Sequence, residues 1–190
     1  MIRKTIFVVC CVLFFDPSMA QQLFTRILPE ESGLHFTNVL TETSDFNTIS
    51  YEYLYNGSGV AIGDINNDGL SDIFFASNLM PNKLFLNEGH LKFKDISIPS
   101  GIEDGFGFHT GVTIVDINND GFLDIYVCKS AAAIPNERRN DLFINNGDLT
   151  FTNKAKEYGL DDPSFHTQAY FNDMDLDGDV DLFLLNHPRE

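Results

Sequence analysis

The stretch Asp116-Ile117-Asn118-Asn119-Asp120-Gly121-Phe122-Leu123-Asp124 decides the reading of this chain. Oxygen-bearing side chains stand at its first, third, fifth and ninth places (Asp116, Asn118, Asp120, Asp124), with Gly121 sixth and Phe122 seventh. That spacing suits a loop wrapped around a hard cation: alternate side chains turn inward, the seventh residue lends its backbone carbonyl, and glycine permits the sharp turn. The pattern recurs as Asp64, Asn66, Asp68, Leu70 and Asp72, and again as Asp173, Asp175, Asp177, Asp179 and Asp181. A single copy could be a turn rich in Asp, Asn and Gly. Three copies in register point to calcium, about three ions, one per loop.

An EF-hand would need a bidentate Glu at the twelfth place and a helix on either side. The twelfth residues here are Phe75, Val127 and Leu184, and each loop runs into a short apolar stretch: 73–76, 125–128 or 182–185. Each is also preceded by one, at 59–63, 111–115 or 168–172. Their Val, Ile, Phe and Tyr content and their brevity predict strands. The cation loops therefore join strand to strand, which excludes the EF-hand.

Outward from the loops, the repeat lengthens. Asn82-Lys83-Leu84-Phe85-Leu86-Asn87-Glu88-Gly89 follows the first loop, and Asn140-Asp141-Leu142-Phe143-Ile144-Asn145-Asn146-Gly147 follows the second. Each reads as a strand entering a tight Asn/Gly turn, with a further strand beyond. Tails ending Gly101-Ile102 and Gly159-Leu160 close the units, which are spaced 52 residues from Asp64 to Asp116 and 57 from Asp116 to Asp173. Four short strands per unit at this period predict an all-β fold, a partial β-propeller of about three blades with the calcium loops between the first two strands of each blade. The blade cores fall at about 57–102, 109–160 and 166–190. Phe24-Thr25-Arg26-Ile27 and Gly33-Leu34 match an outer strand and its tail, so residues 21–34 are expected to supply an outer strand for ring closure. Residues 34–55 are expected to form an extended loop over one face. The third unit stops after its second strand, so the chain reads as the N-terminal part of a longer protein that would self-associate alone.

Residues 1–20 read as a secretory signal peptide. Arg3 and Lys4 precede an eleven-residue apolar core from Thr5 to Phe15, and Ser18-Met19-Ala20 offers small residues for cleavage after Ala20. Eleven residues are too few for a membrane span, which needs about 20, so secretion without membrane insertion is expected. The chain carries 12 basic against 28 acidic residues, a formal charge of −16, which disfavours nucleic acid as a partner. Cleavage would leave Cys128 as the lone cysteine, a buried thiol within a strand.

The three loops, the Asn-x-Leu-Phe-x-Asn-x-Gly hairpins and the Phe-to-Gly tails resemble FG-GAP or VCBS repeats, the calcium-binding propeller repeat of integrin alpha subunits and many secreted bacterial proteins. The fuller pattern, Phe24 to Leu34 and then Gly57-Ser58-Gly59-Val60-Ala61-Ile62-Gly63-Asp64, is similar to the cartilage-acidic-protein-like (ASPIC/UnbV) family. The resemblance implies a seven-bladed ring and a role in extracellular adhesion. The FG dipeptide itself occurs only as Phe106-Gly107, and a C-terminal ASPIC/UnbV segment is missing.

Two function classes follow. The first is a secreted, non-catalytic calcium-binding module for an extracellular protein or glycan ligand. The alternative is the propeller portion of an extracellular carbohydrate-active enzyme, which would place acid/base groups at the channel mouth. No nucleophile elbow, phosphate-cradling loop or His-x-x-x-His is present, so no catalytic residue is assigned. His109 and His166, each seven residues before a loop, are expected as hydrogen-bonding residues where the inner strands begin, or as part of a ring around the channel. Glu137-Arg138-Arg139 is expected at a solvated loop tip.

Overall fold

A computed structural model describes residues 23–102, 107–131 and 135–187. The proposed signal peptide lies outside the described residues, as do Phe106 and residues 188–190. Three antiparallel sheets follow one another along the chain. The first contains β1 (Val60–Gly63), β2 (Asp72–Phe75), β3 (Lys83–Asn87) and β4 (Phe93–Asp95), paired in sequence order. The second repeats this with β5 (Phe108–Val115), β6 (Asp124–Ser130), β7 (Asp141–Asn145) and β8 (Phe151–Asn153). The third pairs β9 (His166–Asn172) with β10 (Asp181–Asn186). This is the partial β-propeller expected from the repeat, with each loop between the first two strands of its sheet.

Sheet-on-sheet packing explains which residues are apolar. In β6 every residue is buried, because alternate side chains serve both neighbours. Ile125 and Val127 join Phe74, Leu84, Val112 and Phe143 between the first two sheets, while Tyr126 and Cys128 join Leu142, Ala169, Leu182 and Leu184 between the second and third. Strand β10 is covered on one face only, leaving Phe183 and Leu185 exposed. Burial pushes the Cys128 thiol up to about 12, so it stays protonated and inert.

The inner strands β1, β5 and β9 lie side by side, and glycines set their separation. Gly59 donates its N–H to Thr110 O at 2.5 Å, and a methyl on it would sit 2.7 Å from Val112 N. One repeat later, a methyl on Gly111 would collide with the Thr167 carbonyl. Gly111 was expected to open its strand. Instead β5 starts at Phe108 and runs through it, with a register shift between His109 and Val112. Gly111→Ala is expected to cost about 1–3 kcal/mol by forcing the second and third sheets apart. Gly63→Ala meets only the methyl groups of Ile114 and Leu123 and should cost less, a ranking that urea unfolding of the two variants checks.

The N-terminal piece departs from expectation. Among the described residues Phe24–Ile27 forms no strand, and Phe24 is exposed. The tail register does hold. The turn α1 (Pro29–Ser32) ends at Gly33 as α2 (Ser97–Ser100) ends at Gly101, both glycines left-handed at φ 82° and 78°. Gly33 backs onto the Phe93 carbonyl and Gly101 onto that of Phe151, so each tail rests on the outer strand of the following sheet.

Residues 34–59 cover the first sheet and the end of the blades away from the loops. Phe36 stacks on Phe75 with ring centroids 4.6 Å apart. Tyr51 and Leu54 are buried with Phe108 and Ala131. The residues around Arg138 form no free tip, contrary to expectation. Pro135–Arg138 is a 3₁₀ turn, and the Arg138 guanidinium lies 4.2 Å from the Phe165 ring centroid. Arg139 pairs with Asp161 at 2.9 Å, so the insertion grips the linker to the third sheet.

Candidate metal centres

The three loops sit at one end of the blades because β1, β5 and β9 run in the same direction. They share one backbone path. The fourth residue is left-handed in each (Asn67, Asn119, Leu176, φ 59°, 57° and 63°), and so is the sixth (Gly69, Gly121, Gly178). The first aspartate clamps this path. Asp64 accepts from Asp68 N and Gly69 N at 3.1 and 2.8 Å, Asp116 from Asp120 N and Gly121 N at 3.0 and 2.9 Å, and Asp173 from Asp177 N and Gly178 N at 3.2 and 3.1 Å.

Asn66, Asn118 and Asp175 at the third place accept from the fifth residue's N–H. Leu70, Phe122 and Asp179 at the seventh place donate their amides to the carboxylates of Asp68, Asp120 and Asp177, which fixes the chain just before the carbonyls expected to face an ion. In the third loop, carboxylate oxygens of Asp173, Asp175 and Asp177 lie within 4.8 Å of one another. Two oxygens on opposite sides of one calcium, each about 2.4 Å away, span about that distance. The donor set therefore fits the ion. Asn66 and Asn118 instead turn an amide towards Asp68 and Asp120, which lowers the charge crowding in the first two loops.

The ninth aspartates do more than close a loop. Asp72 and Asp124 are fully buried. Their Oδ2 atoms accept from Ile65 N and Ile117 N at 3.0 Å, and their Oδ1 atoms accept from the hairpin amides Asn87 N and Asn145 N at 2.7 and 2.8 Å. Burial pushes both carboxyls up, these amides pull them down, and the neighbouring loop aspartates add repulsion. Among the described residues Asp181 has only the first kind of bond, from Met174 N at 3.0 Å, and is exposed. The hairpin asparagines were read as turn formers alone. Their recurrence at one repeat position was the signal for this second role.

Leu176 occupies a left-handed position that asparagine tolerates better. Leu176→Asn is expected to stabilise the third loop by about 0.5–1 kcal/mol, read as a higher thermal midpoint, with no gain from the same test at exposed Met174.

His109 and His166 are buried and hydrogen-bonded. His109 Nδ1 is 2.7 Å from Ser77 O, and His166 Nδ1 is 3.1 Å from Asn140 Oδ1, with Asp162 3.3 Å from its other nitrogen. Sequence spacing gave no role to His187, yet its Nε2 lies 2.8 Å from Ser130 Oγ and 3.1 Å from Tyr51 OH, tying the N-terminal segment to the blades. A cleft of about 270 Å³ opens at this end, between Tyr51, Tyr53 and Phe108 and the inner strands. The Ser58, Thr110 and Thr167 hydroxyls and the Gln168 amide along it are bonded to backbone carbonyls.

The FG-GAP-like repeat family matches residues 64–127, from the first loop through β6. The chain is 42% identical over 69 residues to cartilage acidic protein 1 of Xenopus tropicalis and 39% identical over 69 residues to the Homo sapiens protein. Each match covers 36% of this chain and 11% or 10% of the relative. Integrin alpha-8 of Gallus gallus is 34% identical over 107 residues, which is 49% of this chain and 10% of that protein. The matched stretches thus span about a tenth of these relatives' length. Among the described residues, no helix is long and apolar enough to cross a membrane. With the repeated loops and blades, these matches mark residues 64–127 as an FG-GAP-like repeat set in a partial β-propeller.

Proposed function

We propose that the chain is a secreted, non-catalytic module that binds one calcium ion in each of three loops and presents its blades to an extracellular protein or glycan. The observation that carries this reading is the third loop, where three carboxylates converge within the span of one coordination sphere. The same first-place clamp recurs in the other two loops. The ion supplies positive charge that turns mutual repulsion among the aspartates into attraction. Asp64, Asn66, Asp68 and Asp72, with the Leu70 carbonyl, would hold the first ion, and the equivalent residues from Asp116 and Asp173 onward would hold the others. Secretion rests on the pattern of residues 1–20, and the adhesive role on the similarity to proteins named for cartilage and integrin.

Equilibrium dialysis of the full chain against radioactive calcium tests this reading. About three ions per chain are expected at saturation. Retention no greater than that of a chain with Asp64, Asp116 and Asp173 all changed to alanine would refute it.

A further inference from the structure

The first two loops are joined to each other by hydrogen bonds. Asn145 lies in the hairpin of the second sheet and is buried. Its N–H bonds the ninth-place carboxylate of its own loop, Asp124, at 2.8 Å. Its side-chain amide donates to Leu123 O of the same loop at 3.1 Å and across the sheet boundary to Ile65 O at 2.8 Å. Ile65 is the second residue of the first loop, and its own N–H bonds Asp72, the ninth-place carboxylate there. A short relay thus runs from Asp124 through Asn145 and Ile65 to Asp72. A second bridge lies at the surface, where the Asn67 amide donates to Gly121 O at 2.9 Å, linking the fourth residue of one loop to the sixth of the next.

Asn87, the counterpart of Asn145 one sheet earlier, gives its side-chain amide to Ser71 O of its own loop. Among the described residues, no hydrogen bond joins the second loop to the third.

We propose that Asn145 and Asn67 couple the first two calcium loops, so that an ion in either one raises the affinity of the other. This rests on the calcium reading above. The physical route is ordering. An ion that fixes Asp72 and Ile65 in place also fixes an acceptor of Asn145, whose backbone N–H positions Asp124. The second ion then meets a loop whose ordering cost is already partly met. Asn145 and Asn67 are positioning residues, since neither contributes an oxygen to a loop's ligand set.

A calcium chloride titration of the ¹⁵N-labelled full chain, followed by NMR, reads each loop separately. The amides of Gly69, Gly121 and Gly178 each bond the first aspartate of their own loop. Gly69 and Gly121 are expected to shift together along a curve steeper than hyperbolic. Asp64→Ala should weaken the midpoint at Gly121 about fivefold, and Asp116→Ala should weaken that at Gly69 by the same factor, because coupling is reciprocal. Asn67→Gly keeps the left-handed turn and disturbs no buried group, yet removes one bridge. It should reduce the coupling to about twofold and leave the Gly178 curve unchanged. Should Gly121 titrate identically with and without Asp64 while all three amides still respond, the coupling is wrong and the calcium reading stands. Should none of the three respond to calcium, both fall.

Discussion

Chelating calcium with EGTA is expected to lower the thermal midpoint of the chain by roughly 15–30 °C, and magnesium should restore little of it. Each loop gathers its carboxylates at short range, and like charges about 4 Å apart repel by roughly 4 kcal/mol at a surface-like dielectric. An ion present at a hundred times its dissociation constant stabilises the folded state by about 2.7 kcal/mol per site. Three such sites would contribute roughly 8 kcal/mol, and a chain of this size shifts its midpoint by about 2–4 °C per kcal/mol. Magnesium demands a tighter octahedral shell and releases its water reluctantly. Loops whose ligands are set by a chain of backbone hydrogen bonds are poorly placed to contract around it. Melting curves in calcium, magnesium and chelator decide the matter. Coincident midpoints would mean that no cation holds the loops.

The second large effect concerns Asp124. Replacing it with alanine is expected to cost about 2–5 kcal/mol even in EGTA, where no lost ion enters the comparison. Ile117 N and Asn145 N both donate to this carboxylate, and the side chain is fully buried. Removing it leaves two amides without their acceptor, each costing about 1–3 kcal/mol. Asp181→Ala removes the residue at the same repeat position and should cost about 1 kcal/mol or less. Asp181 is exposed and, among the described residues, accepts only from Met174 N. Urea unfolding of the two variants tests the contrast. Equal losses would show that the hairpin bond to Asp124 contributes nothing.

The contrast between Asp124 and Asp181 also marks how much of this protein its sequence determined alone. The loops were legible because a turn of this kind is local. Oxygen donors within nine residues, a glycine at the sixth place and apolar strands on either side fix the turn through short-range geometry, so Asp116 through Asp124 predicts its own backbone. Blade order was legible for a related reason, because the repeat carries the same strand pattern in every copy. What the tertiary structure alone decided are relations between copies. Strand β6 is buried on both faces because a sheet lies on each side of it, and Gly111 is a glycine because the Thr167 carbonyl occupies the space of its side chain. Residues 137–139 read as a loop tip until Phe165 and Asp161 appear against Arg138 and Arg139. Phe24–Ile27 has the composition of an outer strand but forms no strand among the described residues. Asn145 reads as a turn residue in sequence, and only the packing of neighbouring sheets brings its amide to Ile65, 80 residues away. Hydrogen bonds and packing across that distance leave no periodic trace in the chain, because the partner is chosen by the fold and not by the neighbouring residues.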